Sequence, residues 1–187
     1  MNGVQKFFGH LGTIIKHRHK VIVHCVKCGI TRQGLVHDLS KFSPTEFIPS
    51  VKYYVGHRSP NVGEREAYGY SKAWIHHKGR NKHHYEYWKD YVKKGEGESA
   101  VEMPYRYVVE MMCDRIAACK VYHGKDYTKK DALHYFHMGR AQYYMHPNTK
   151  RDLTELLEML AENGEQATFK YAKEELKRRK GLKKNER

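Results

Sequence analysis

The nonapeptide Gly34-Leu35-Val36-His37-Asp38-Leu39-Ser40-Lys41-Phe42 sets an imidazole beside a carboxylate inside an apolar run. A helix through it puts Leu35, Val36, Leu39 and Phe42 at helical spacing and buries at least part of the His37-Asp38 pair. A carboxylate taken out of water is costly unless it is paired, hydrogen-bonded or bound to a metal, and imidazole is the commonest metal ligand. Other polar residues sit in apolar helical stretches elsewhere in the chain: His24, His77, His84 and Asp114, with His76 and His83 close by. Imidazoles and carboxylates from different helices can converge on one ion, whereas each alone would burden folding. Any single one of these histidines is more often a hydrogen-bonded core or surface residue than a ligand. Their joint occurrence is what points to a metal centre.

The elements that must position these residues are all helical. A stripe of Val4, Phe7, Phe8, Leu11, Ile14, Ile15, Val21, Ile22 and Cys25 predicts a helix over residues 4–28 that packs on the core and carries His24 near its buried side. Gly29 stops it, and a short helix follows over Gly34 to Phe42. Ser43-Pro44-Thr45-Glu46 reads as a capping box opening a third helix to about Tyr54. Gly56 to Gly63 reads as a loop. A helix from Glu64 to Gly79 carries His77, and another from His83 presents His84, Tyr87, Trp88 and Tyr91 on one face. After a polar loop at Gly95-Glu96-Gly97-Glu98-Ser99, Pro104 opens the most apolar helix, from Tyr105 to Tyr122, with Asp114 at its middle. Glu110 lies one turn before Asp114, a like-charge spacing that requires a cation nearby, and Arg115 is the simplest source of it. Helices then run from about Thr128 towards Pro147, from Asn148 to near Gly164 and from Gln166 to Arg179. The expectation is one all-α domain over residues 1–187, with roughly seven or eight helices.

Hydrophobic content of 40% and aromatic content of 12% exclude a disordered chain. The net charge of +14 attracts anions, whether nucleotides, phosphorylated metabolites or nucleic acid. Part of it lies in a basic tail, Lys177 to Arg187, where seven basic residues face one acid, Glu186. The four cysteines, Cys25, Cys28, Cys113 and Cys119, lie in apolar segments and suit a reducing compartment as small buried hydrophobes better than a zinc ribbon. No run approaches a membrane span and no secretory h-region opens the chain, so a cytoplasmic protein without a membrane partner is expected. Nothing in the chain speaks to oligomeric state.

The order His24, then His37-Asp38, then a late Asp114, each on a predicted helix, resembles the H…HD…D signature of the HD-domain metal-dependent phosphohydrolase superfamily. His77 with His83 or His84 resembles the additional histidines of its two-metal members. His37-Asp38-Leu39-Ser40-Lys41 is similar to the superfamily's H-D-x-G-K form, with Ser40 in the glycine position. As a whole the chain resembles a bacterial and phage family of HD-like proteins of unknown function, through His37 to Phe47, Trp74 to Trp88 and Met103 to Cys119. The interval of 12 residues between His24 and His37 is short for the pattern.

The resemblance implies an HD-like helical bundle with its core over residues 20–122, a C-terminal helical extension over 125–180 and the basic tail at 177–187. It implies metal ligands among His24, His37, Asp38, His77, His83, His84 and Asp114, and hydrolysis of a nucleotide or small phosphoester. A ligand set of imidazole and carboxylate suits one or two divalent ions of iron, manganese, nickel, cobalt or zinc. Asp38 would serve one ion or bridge two, and a bridged pair would activate water for attack on phosphorus. Lys41, one turn beyond the pair, is the candidate to meet the phosphate during catalysis, and Arg80 is a second substrate contact. The alternatives are an HD-type di-iron oxygenase, also implied by the resemblance, and a basic nucleic-acid-binding protein with a structural metal site.

Overall fold

The computed structural model describes residues 1–91, 95 and 97–185, with side chains to residue 182. Within them the fold is all-α, as expected, with eight α-helices and a single two-residue β-ladder. The helix α1 (Gly3–Lys27) opens on a capping box between Asn2 and Gln5. Its buried stripe is His10, Ile14, His17, Val21, His24 and Cys25, so histidine recurs every seventh residue on the inner face. Several residues of the expected stripe, Val4, Phe8 and Ile15 among them, face outward instead. The reason is that α1 turns its histidine edge towards α6 (Tyr105–His123), the most deeply buried helix, along which Val108, Val109, Met112, Cys113, Ile116 and Ala117 form the centre of the core.

Against these two long helices stand the short ones: α2 (Thr31–Val36), α3 (Pro44–Lys52), α4 (Pro60–Tyr68), α5 (Lys72–Lys78) and α7 (Asp131–Met138). The last, α8 (Pro147–Asn185), packs Leu153, Leu156, Leu157, Leu160 and Phe169 on the core. It kinks at Gly164, whose backbone at φ 79°, ψ 176° breaks the helix where the chain was expected to end one helix and start another. Cys25, Cys28, Cys113 and Cys119 are free and buried, with 3.8 Å between the Cys28 and Cys113 sulfurs. Among the described residues no helix is long and apolar enough to cross a membrane.

Four local expectations are corrected. Residues 34–42 are not one helix: α2 ends at Val36, and a separate 3-10 helix covers Leu39–Phe42. Ser43 precedes α3 in extended backbone without a side-chain cap, because Glu46 turns inward to His76 and His77 rather than back to the helix start. The stretch expected as one helix from Glu64 is two, α4 and α5, separated at Gly69 with φ 78°, and α4 already starts at Pro60 inside the expected loop. From His83 the chain makes only a 3-10 turn at Tyr85–Tyr87 and enters β1 (Lys89–Asp90), paired antiparallel with β2 (Ser99–Ala100). Glu96 of the expected polar loop, and Glu186 and Arg187 of the basic tail, lie outside the described residues.

The crossing of α1 and α2 depends on Gly34, where an added Cβ would lie 2.7 Å from Cys25 Cβ and 3.3 Å from Ile22 Cα. Gly34→Ala is expected to destabilise the protein by about 1–3 kcal/mol through overpacking. Gly12→Ala, on the open face of α1, meets nothing within 4 Å and is expected to stabilise by up to about 1 kcal/mol. Urea denaturation of the two variants beside the wild type checks both signs.

Candidate metal centre

The chain between α2 and α3 turns its polar residues in and its apolar residues out. His37 and Asp38 are 2% and 1% exposed, whereas Leu35, Val36, Leu39 and Phe42 are all at least 42% exposed. The device is the backbone of Asp38, whose φ of 55° and ψ of 25° place a non-glycine residue in the left-handed region, one of the few that aspartate tolerates. In a continuous helix adjacent side chains diverge by about 100°. The left-handed step removes that divergence, so neighbours in sequence meet at one point. Arg18 of α1 braces the turn by donating to the carbonyls of His37 and Leu35, and its guanidinium lies over the Phe42 ring.

Around Asp38 stand two groups of potential ligand atoms, each within 4.8 Å of one another: His17, His37, Asp38 and Asp114, and Asp38, His77, His83 and His84. The carboxylate divides its oxygens between them. Oδ2 lies 3.3 Å from His37 Nε2 and 3.8 Å from His17 Nε2. Oδ1 lies 3.2 Å from His77 Nε2 and 3.5 Å from His83 Nε2. Asp114 Oδ1, from the middle of α6, is 3.0 Å from His17 Nε2 and 3.5 Å from His37 Nε2. Trp74 packs on the rings of His77 and His84.

The Nε2 atoms of His37, His83 and His84 and Oδ1 of Asp38 are buried without a hydrogen-bond partner, and Asp38 Oδ2 and His17 Nε2 meet only the charged groups of Lys41 and Asp114. Buried polar atoms are almost always satisfied. Unsatisfied imidazole and carboxylate atoms that converge from several elements are a donor set a cation satisfies, so these buried His and Asp groups can hold a metal ion. Behind them a second layer orients the rings, as metal-ligating histidines generally require. Glu110 accepts from His37 Nδ1 at 3.0 Å, and Glu46 from His77 Nδ1 at 2.8 Å and from His76 Nδ1 at 2.7 Å. Ser40 Oγ lies 3.3 Å from His77 Nδ1 and accepts from Asn81 Nδ2 at 2.9 Å, giving this serine a place in the same layer.

The electrostatics of the ion-free cluster follow from that packing. Burial works against the charged form of His37, yet Asp38, Asp114 and Glu110 outweigh it and hold the imidazolium well above the ordinary histidine range. Burial opposes ionisation of Asp38 too, but His37, Lys41 and His77 hold it well below the ordinary carboxylate range, as His17 and His37 do for Asp114. Glu110 is drawn down to about 2 against its burial, by His37 and His83. His77 is raised against burial by Asp38 and Glu46. His17 is lowered by burial and Lys41, and His84 well below the usual value by burial and its neighbours His83 and His77.

Of the expected ligands, His37, Asp38, His77, His83, His84 and Asp114 converge, with both His83 and His84 in the cluster. His24 does not join them. Its Nε2 lies 3.5 Å from Lys120 Nζ and 3.9 Å from Glu165, and its Nδ1 3.4 Å from the Cys113 carbonyl, with the pKa lowered to about 4 by burial and Lys120. His17 takes the expected place, one heptad earlier on the same face of α1, level with Asp114. Nineteen residues then separate it from His37, which removes the short interval. Lys41 Nζ is 2.6 Å from Asp38 Oδ2. Arg80 instead lies exposed at the end of α5 with Nη1 directed to the His76 carbonyl, and no contact joins it to the cluster. Arg115 is not the cation beside Glu110; its guanidinium lies over Phe136, and the histidines take that part. Glu46 and Glu110 escaped notice as site residues, although the like-charge spacing of Glu110 and Asp114 was a signal for the second.

A family model described as a family of unknown function (DUF5662) matches residues 6–159, and the chain belongs to that family. The matched span contains every residue of the two groups. No curated protein and no solved structure matches the chain.

His17→Gln is expected to reduce the protein's ion content, and His24→Gln to leave it unchanged, by elemental analysis of purified protein. Ions compete with the protons on His37 and His77, so affinity is expected to rise from pH 6 to 8, with proton release on binding. Calorimetry in buffers of different ionisation enthalpy reads that release. In the stripped protein the two raised histidines stabilise fully below their unfolded pKa, about 6.5, and lose that contribution as pH climbs through their folded values. The depressed carboxylates stabilise above about pH 4 and lose their contribution on acidification, Glu110 as pH falls towards about 2.

Proposed function

We propose that this member of DUF5662 is a divalent-metal-dependent phosphohydrolase acting on a small anionic phosphoester, nucleotides included. The observation that carries the reading is the division of the two Asp38 oxygens between two sets of buried imidazole nitrogens. A carboxylate so placed is suited to bridge two ions. Imidazole and carboxylate donors without thiolate suit iron, manganese, nickel, cobalt or zinc. Ions there supply Lewis-acid activation of water and neutralise charge on phosphoryl oxygens.

The chain's own groups bind and orient. His17, His37 and Asp114 would hold one ion with Asp38, and His77, His83 and His84 would hold the other with the same carboxylate. Lys41 and Asp114 have side chains 31% and 18% exposed against 1% for Asp38, so substrate arrives from their side. Burial opposes the Lys41 charge, but Asp38 and Asp114 raise its pKa, keeping it an ammonium that receives a phosphoryl oxygen as a point charge. The net charge of +14 draws anions towards the protein. A second reading, implied by the resemblance to two-metal HD members, is an iron-dependent oxygenase on the same ligands, which oxygen uptake by ferrous-loaded protein would distinguish.

Metal-loaded protein is expected to release phosphate from members of a panel of nucleotides and generic phosphoesters. Asp38→Asn should abolish turnover, and Lys41→Met should lower kcat/KM about 100- to 1,000-fold, as loss of a charge-stabilising donor does elsewhere. Absence of any metal-dependent release by the wild type would count against the hydrolase and leave the oxygenase to be tested.

A further inference from the structure

Glu110 stands one turn before Asp114 on α6 and is buried. Its Oε1 accepts from His37 Nδ1 at 3.0 Å and lies 3.4 Å from His83 Nδ1, and the two rings are 4.3 Å apart. Its other oxygen is tethered by Gln33 Nε2 at 2.7 Å, and Gln33 also reaches the Arg106 carbonyl at 3.2 Å, so the carboxylate is held at both ends. Of the two groups that contain Asp38, His37 belongs to one and His83 to the other, and the two rings also form with Glu110 a third group, through the Nδ1 edges that the carboxylate faces. An acceptor at Nδ1 places the ring proton there and leaves the Nε2 lone pair for an ion.

We infer that Glu110 is a positioning residue that aims one histidine of each group through a single oxygen, and so couples the affinities of the two ion sites to one carboxylate. The inference rests on the two-ion reading proposed above. Glu46 provides the contrast, because its oxygens reach His77, in the second group alone, and His76, in neither. Loss of Glu110 therefore releases a ring on both sides of Asp38, and loss of Glu46 a ring on one side only.

Cobalt(II) titration of chelator-stripped protein, read by visible absorption and by bound cobalt after gel filtration, tests the coupling. Wild type is expected to take up two equivalents. Glu110→Gln should weaken both about 10- to 100-fold, and Glu46→Gln only one, the usual range for loss of an outer-shell partner. Gln33→Leu, which frees the outer oxygen of Glu110 without touching either histidine, should weaken both to a smaller degree and keeps the test open if Glu110→Gln fails to fold. Two equivalents in wild type with one or neither weakened in Glu110→Gln, or a lower melting temperature of the stripped variant with an unaltered cobalt spectrum, overturns the coupling alone. Fewer than two equivalents in wild type overturns the two-ion reading and the coupling with it.

Discussion

A carboxylate buried at the meeting point of four histidines and a lysine dominates this molecule. Breaking a buried ion pair by removing one partner costs about 3–5 kcal/mol, and Asp38 has partners on both oxygens. The surrounding elements are arranged to provide them. The helices α1 and α6 support His17 and Asp114, α5 brings His77, and the turn after it brings His83 and His84. The left-handed backbone of Asp38 is tolerated because the contacts of its side chain over-determine it, as is usual where strained backbone coincides with a functional site.

Two carboxylates with different tasks share one face of α6. Asp114 faces the Nε2 atoms of His17 and His37, while Glu110, a turn earlier, faces the Nδ1 atoms of His37 and His83. Each thus meets opposite edges of imidazole rings, and the repulsion expected of like charges at this spacing is replaced by attraction through the rings between them. Glu46 on α3 does for His77 what Glu110 does for His37, each accepting from a ring Nδ1. The same low dielectric that makes these contacts strong makes any unpaired member costly, which ties the outer layer to the inner one.

The segment that carries the His37-Asp38 pair also departs from ordinary amphipathic logic. Its apolar side chains lie at the surface and its polar ones in the interior. Hydrophobic burial therefore does not hold this turn in place; the Arg18 contacts to its carbonyls and the ligand cluster do.

Periodicity and punctuation in the sequence determined the helical class, the extents of α1 and α6, the break at Gly164 and the idea of an acid and histidine centre built on His37, Asp38, the later histidine pairs and Asp114. These features are local, set by hydrophobic spacing, by glycine and proline, and by the anomaly of polar residues in apolar surroundings. Tertiary structure alone decided between His17 and His24. They share one face of α1 two helical turns apart, and periodicity treats them alike. Only the register of α1 against α6 puts His17 beside Asp114 and His24 beside Lys120 and Glu165. The same holds for Glu46, which reads locally as half of a capping box and becomes a partner of two histidines only because α3 packs on α5. It holds too for Asp38, whose helical context in the chain gives way to a left-handed turn because contacts distant in sequence outweigh a local preference worth about 1–2 kcal/mol per residue.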